Sequence, residues 1–205
     1  MRRPTRIVIF AKAPIPGYAK TRLITALGEE GAATLAAQML LRTVTVAREA
    51  SIGPIELCVA PDPEHICLRA LAVGSDVVWS RQSEGDLGMR MATAVQRTLA
   101  AGENVICIGT DCVELEALHL QEAAIALYQD SAVIAPALDG GYVLLGLSEF
   151  DSSIFQDIVW STDSVFKETM ARIAHLNWRV TQLATLRDID EPDDLIFLPA
   201  EFNKK

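Results

Sequence analysis

Phe10-Ala-Lys-Ala-Pro-Ile-Pro-Gly-Tyr-Ala-Lys-Thr-Arg-Leu23 follows directly on the apolar run Ile7-Val8-Ile9. The apolar run reads as the first strand of a sheet, over Ile7–Ala11, and the Pro/Gly stretch reads as the loop that leaves it. A strand that opens into such a loop and then into a helical pattern is the layout of a phosphate-binding corner. Turn residues let the backbone approach an anion, and cations oppose its charge. Between Met1 and Gly28 stand six cations (Arg2, Arg3, Arg6, Lys12, Lys20, Arg22) and no carboxylate. The whole chain carries a formal charge of −9, so this positive charge is local.

Outward from this corner the pattern alternates. An Ala/Leu-rich helical segment is expected over Glu29–Ala50, a strand over Ile55–Ala60 closed by Pro61-Asp62-Pro63, and a short helix over Glu64–Ala72. Asp76–Ser80 reads as a third strand, and Leu87, Met91, Val95 and Leu99 recur every four residues as a helical stripe. Val105–Ile108 is a buried strand, and Glu114–Gln129 a helix. Ala132–Ala135 and Tyr142–Leu147 are further strands, separated by Asp139-Gly140-Gly141. Successive strand–helix alternations specify an α/β sandwich with a mainly parallel sheet. The Gly-Gly corner and the proline-bearing C-terminus make that sheet mixed at its far side. No linker or repeat interrupts the chain, so one domain is expected over residues 1–205.

The acidic balance argues against a nucleic-acid binder, which shows a basic face over its whole domain. It leaves room for a small anion in a local basic pocket. Cys58, Cys67, Cys107 and Cys112 form no C-x-x-C pair and lie mostly in apolar runs, as reduced, structural thiols do. The N-terminal apolar run is too short for a signal-peptide core, and no stretch approaches the ~20 apolar residues of a membrane span. A cytoplasmic setting is expected. The histidines His65, His119 and His175 share no ligand spacing.

Ligands in open α/β sheets bind beyond the carboxyl ends of the strands. Sorting polar residues by that rule gathers Lys12, Gly17, Lys20, Thr21 and Arg22 after the first strand, Gly109-Thr110-Asp111 after the strand at 105–108, and Asp139-Gly140-Gly141-Tyr142 before the last. Cations on one wall and carboxylates on another suit a nucleotide diphosphate with Mg²⁺ or Mn²⁺. Each has a simpler reading: Lys20 and Arg22 as solvated helix-start residues, Asp111 and Asp86 as helix N-caps, Asp139 as a turn residue. The sequence contains no G-x-S-x-G elbow, P-loop or G-x-G-x-x-G fingerprint.

Six motifs in order resemble one bacterial family: Phe10 to Leu23, Gly85-Asp-Leu-Gly-x-Arg-Met91, Gly109-Thr-Asp-Cys112, Asp139-Gly-Gly-Tyr142, Trp160-Ser-Thr162 and Asp188-Ile-Asp-x-Pro-x-Asp-Leu195. They identify the chain as similar to the DUF2064 group, also called radical-SAM/selenodomain-associated glycosyltransferase 1. The resemblance implies a GT-A-like nucleotide-diphospho-sugar transferase fold, distantly related to guanylyltransferases. It implies Lys20 and Arg22 at the nucleotide phosphates and Asp111 at Mg²⁺ or Mn²⁺; the residue reading adds Lys12, Gly17, Thr21 and Asp86 on the nucleotide side and Asp139 as a second metal ligand. Gly140, Gly141, Tyr142, Trp160, Ser161 and Thr162 would line the substrate side, with Asp139 as general base. Val113 stands where the family usually has proline, which should loosen the turn behind Asp111. The expected reaction is glycosyl transfer from a nucleotide sugar to a small-molecule acceptor. The alternatives are nucleotidyl transfer from a nucleoside triphosphate to a phosphorylated acceptor, and a nucleotide-binding module without catalysis.

Overall fold

The computed structural model describes residues 3–203; Arg2 of the N-terminal cation group lies outside them. Seven strands form one sheet in the order β3-β2-β1-β4-β6-β5-β7. The strands are β1 (Thr5–Lys12), β2 (Ile55–Ala60), β3 (Val77–Arg81), β4 (Asn104–Ile108), β5 (Ala132–Pro136), β6 (Tyr142–Leu147) and β7 (Val180–Gln182). Only β6 runs against its neighbours, pairing antiparallel with β4 and β5, while the other ladders are parallel. β4 and β5 are buried along their whole length, which is why they read as unbroken apolar runs rather than alternating ones.

The helices are α1 (Ile24–Ala50), α2 (Ile66–Arg69), α3 (Leu87–Ala100), α4 (Ala117–Ala126) and α5 (Val165–His175). Period-two alternation along the strands divides the core. Ile7, Ile9, Leu57, Ile106 and Ile108 pack with Leu40, Val44 and Leu120 of α1 and α4, whereas Val8, Cys58, Cys107 and Leu145 pack with Met91, Val95 and Ile173 of α3 and α5. A smaller cluster of Leu23, Leu35, Met39, Val113 and Ile189 ties the loop after β1 to the loop after β4 and to the C-terminal segment.

The sequence-derived strands agree with the structure to within two residues. α1 departs from helical geometry at Gly28 (φ 71°, ψ 169°), so its continuous part begins where the Ala/Leu pattern does, at Glu29. α4 is shorter than expected because Glu116 and His119 close a capping box around its start. The stripe on α3 is only partly core: Met91 and Val95 are buried, but Leu87 is 41% exposed and turns toward the cleft. α5 and β7 were not anticipated. The α5 signal was present, since Val165, Thr169 and Ile173 recur every four residues and are buried. β7 is a three-residue edge strand, too short to show a period.

The direction in which the strand order grows reverses between β1 and β4, although the two strands are parallel. From β1 the order steps outward through β2 to β3, and then crosses to β4 on the other side. That switch point opens a crevice at the carboxyl ends of two adjacent strands.

Candidate functional site

Two lobes of a cleft meet at this crevice. The first, about 580 Å³, is lined by Lys12, Lys20, Thr21, Arg22, Gln82, Arg90, Thr110 and Asp111 among others. The second, about 560 Å³, is lined by Asp139, Gly141, Tyr142, Trp160, Ser161, Thr162, Arg187 and Asp188 among others. Arg22, Leu87, Ser161 and Asp190 belong to both. The three polar groups expected at separate strand ends therefore contribute to one continuous site.

The expected separation of charges is not what the structure shows. Lys20 Nζ is 2.5 Å from Asp111 Oδ1 and 3.3 Å from Asp190 Oδ1, and it also donates to the Ile189 carbonyl. Its side chain is 6% exposed, whereas that of Asp111 is 43% exposed. The physical reason lies in the loop. Lys20 sits in the left-handed region (φ 50°, ψ 44°), and its carbonyl accepts from the N–H of Leu23, itself fully buried, while its side chain turns inward to Asp111. Burial works against the Lys20 ammonium, but Asp111 and Asp190 outweigh it and raise its pKa. Arg22 stays at the surface, 3.6 Å from Asp190 Oδ2 and 3.4 Å from Glu191 Oε1.

The residues sequence reading missed are Asp188 and Asp190. They arrive on a C-terminal strap whose Leu186 N–H donates to the Pro136 carbonyl and whose Ile189 N–H donates to the Asp111 carbonyl. Ile189 is fully buried in the cluster beneath, so in an extended segment its two neighbours face the other way, into the cleft. Asp194 Oδ2 accepts from the Asp190 and Glu191 amides and fixes the strap's turn. The only sequence signal was the Asp-Ile-Asp spacing itself, quoted above as part of a motif without a role.

Burial, then repulsion from Asp111, Asp139 and Asp190, pushes the Asp188 carboxyl up to about 8, with Lys20 partly opposing. Burial and Asp111 also raise Asp190. Between the ordinary carboxylate pKa of about 4 and about 8, folded Asp188 keeps a proton that the unfolded chain has released. Stability must therefore fall as pH rises through that window. Asp188→Asn removes the dependence: chemical denaturation should find it more stable than the parent at pH 9 and indistinguishable at pH 4.

Other expected residues divide. Asp139 Oδ1 accepts from the Gly141 amide at 2.9 Å, so its turn role is real, and its exposed carboxylate still lines the second lobe. Asp86 is the N-cap of α3, accepting from Met89 N–H at 2.8 Å, and lines neither lobe. Its carboxylate is used by the helix, and a phosphate would be repelled by it. Gly17 (φ 77°) lines neither lobe; it shapes the turn. Trp160 presents its ring to the second lobe, while its Nε1–H is buried without a partner. The turn after Asp111 is not loosened by Val113: that side chain is buried, and its carbonyl accepts from Arg42 Nε at 3.1 Å and the neighbouring guanidinium nitrogen at 2.6 Å.

Gly140, expected on the substrate side, lines neither lobe; it stands between Asp139 and Gly141, which do line the second, and packs on the Asp163 backbone. At φ 90° it holds a conformation L side chains avoid, and an added Cβ would stand 2.2 Å from the Asp163 carbonyl oxygen. Gly140→Ala is expected to cost about 3 kcal/mol, from strain plus overlap, measured as a lower midpoint in urea unfolding with an unchanged slope.

The family model described as "Uncharacterized protein conserved in bacteria (DUF2064)" matches residues 43–162, more than half of the chain. The chain belongs to that family. Its fold is also that of solved structures. A Desulfovibrio desulfuricans G20 protein named "putative nucleotide-diphospho-sugar transferase" is 29% identical, with a TM-score of 0.84 over 93% of this chain and 84% of its own. A Methanothermobacter nucleotidyl transferase shares 16% identity and a TM-score of 0.66, covering 97% of each chain. A Mycobacterium tuberculosis H37Rv protein solved in complex with manganese shares 18% identity and a TM-score of 0.56, over 96% of this chain and 98% of its own. No curated protein matches the chain. Among the described residues, no helix is long and apolar enough to cross a membrane.

Proposed function

We propose that this DUF2064 protein is a single-domain transferase that moves a glycosyl group from a nucleotide-sugar donor to a small-molecule acceptor. The observation that carries the reading is the two-lobed cleft at the β1/β4 switch point, with cations in one lobe and carboxylates where the lobes meet. Similarity to the Desulfovibrio protein over nearly the whole chain supports the donor class.

In this reading Lys12, Lys20, Arg22 and Thr110 hold the donor phosphates, and Asp188, in its ionised form, takes the acceptor proton. Asp188 replaces Asp139 in that role because it lies where the acceptor lobe meets the deeper part of the cleft, while Asp139 is tied to its turn. The donor's carbon–oxygen bond breaks, the acceptor oxygen bonds that carbon, and a nucleoside diphosphate leaves. The residues supply positioning and fixed charge.

Mg²⁺ or Mn²⁺ is tested by the donor set. Among the described residues, no three acidic, imidazole or thiol groups stand together as a ready-made metal centre. The chemistry fits nonetheless: Asp111 and Asp190 are hard oxygen donors facing one cation already, the Lys20 ammonium. A divalent ion held by Asp111 and Asp190 would neutralise charge on the leaving diphosphate. When donor phosphates draw Lys20 toward them, these carboxylates lose their internal counter-ion.

One observation favours a second reading. Four cations, Lys12, Lys20, Arg22 and Arg90, line the first lobe, more than a diphosphate needs and closer to the charge of a triphosphate. Nucleotidyl transfer would use the same groups and release pyrophosphate. Incubation with UDP, GDP, ADP, CTP and GTP, with and without Mn²⁺, should raise the melting temperature for one base. Turnover of its sugar conjugate to free diphosphate supports the first reading; pyrophosphate release from its triphosphate overturns it in favour of the second. Absence of any shift would sink both.

A further inference from the structure

A third cavity, about 190 Å³, lies beneath the meeting point of the lobes. Phe10, Leu87, Met91, Ile108, Tyr142 and Val143 supply most of its wall. It shares Asp111 with the first lobe, Asp188 and Tyr142 with the second, and Leu87 with both. The alcove therefore opens where donor and acceptor must meet, with two carboxylates along its edge.

Apart from the Asp111 and Asp188 carboxylates and the Tyr142 hydroxyl, the lining side chains offer no strong hydrogen bond. The Tyr142 hydroxyl is engaged with Met91 Sδ at 3.8 Å, and thioether sulfur is a weak acceptor. Burial pushes the Cys107 thiol and the Tyr142 phenol up, so both stay neutral. A sugar ring or polyol placed here would leave hydroxyls unpaired away from water, which is unfavourable. A hydrocarbon body meets no such penalty. For scale, an apolar cavity of roughly 150 Å³ in another protein admits benzene, so this alcove holds a six-carbon ring with a small substituent. The same preference continues outward: Leu87 and Leu138 line the second lobe at 41% and 58% exposure, apolar side chains kept at a polar cleft's rim.

We propose that the alcove seats the hydrocarbon body of the acceptor, an amphiphilic alcohol whose hydroxyl lies at Asp188. This rests on the glycosyl-transfer reading and narrows its acceptor from any small hydroxyl compound to one with a compact apolar end. In the transfer step the acceptor's O–H bond breaks and its proton passes to Asp188. The oxygen bonds the sugar carbon, and the nucleoside diphosphate departs with the electron pair of the broken bond.

The test uses the full chain without nucleotide and follows 4-fluorobenzyl alcohol by fluorine NMR. Benzyl alcohol should displace the probe, and glycerol at the same concentration should not. Met91→Phe and Cys107→Leu, which fill the alcove from opposite sides, should each weaken binding at least tenfold. The hydroxyl-free analogue 4-fluorotoluene should bind several-fold more weakly than the alcohol, and Asp188→Ala should erase that difference. The proposal is overturned if neither probe binds, if glycerol competes as well as benzyl alcohol, or if Asp188→Ala leaves the alcohol's advantage intact. It is likewise overturned if a folded filling variant binds as tightly as the parent. If neither filling variant folds, the competition in the parent chain decides. Failure of the glycosyl-transfer reading would show separately, as pyrophosphate release or as no nucleotide-dependent melting shift, without altering these binding results.

Discussion

Replacing Lys20 with methionine is expected to tighten Mn²⁺ binding to the nucleotide-free protein by about tenfold while weakening donor binding by about a hundredfold. The two effects have opposite signs because one ammonium serves two partners in turn. Without donor, Lys20 Nζ lies 2.5 Å from Asp111 Oδ1 and occupies the space a divalent cation would need. Two unit charges at such range attract by about 7 kcal/mol at an effective dielectric of 20. The half-exposed Asp111 recovers part of that from water, which leaves a net effect near the 1.4 kcal/mol of a tenfold change. With donor present the ammonium is wanted on the phosphates, and its loss removes a charge-assisted contact.

Stability supplies an independent check on the same variant. Asp111 and Asp190 would face each other without their shared cation, so Lys20→Met should melt lower than the parent in the absence of metal. Mn²⁺ should restore more of the melting temperature in the variant than it adds to the parent, by the linkage between binding and folding. Titration calorimetry with Mn²⁺ alone reads the first effect directly. Equal Mn²⁺ affinity in the two proteins would show that Lys20 and the cation do not compete for one seat.

How much of this was legible in the sequence follows from the range of the interactions involved. The corner at Phe10–Leu23 and the strand at 105–108 were readable because strand, turn and helix signals are local. The placing of polar residues at the carboxyl ends of the strands followed from the alternation of strands and helices, but the strand order that sets the switch point between β1 and β4 did not. The direct pairing of Lys20 with Asp111 was not readable, since it depends on the left-handed backbone at Lys20 and on a contact across 91 residues. Asp190 is farther still, 170 residues along the chain from Lys20. Leu87 shows the converse: its four-residue spacing from Met91 and Val95 was genuine helical periodicity, yet its place at the first turn of α3 aims it into the cleft rather than the core. Asp86, one residue earlier, illustrates how a cap can mimic a site residue; only the bond it accepts from Met89 N–H separates the two roles.

Asp111→Ala is expected to lower kcat/KM by about a thousandfold, equivalent to about 4 kcal/mol of transition-state stabilisation, and to abolish stimulation by Mn²⁺. The carboxylate stands directly after β4, and its own carbonyl accepts from Ile189 N–H at 2.9 Å. Truncating the side chain therefore removes an oxygen donor from the centre of the cleft while the backbone contact that docks the strap remains. That separation makes the experiment informative. Were Asp111 only a helix cap, alanine would cost about 1 kcal/mol of stability and leave turnover near that of the parent. The structure already argues against the cap, because α4 begins at Ala117 and is capped by Glu116. Loss of Asp111 also frees Lys20 toward the donor, so nucleotide affinity without metal should hold or rise even as turnover collapses. A variant that lost nucleotide affinity and turnover together would place Asp111 in holding the loop rather than in the chemistry.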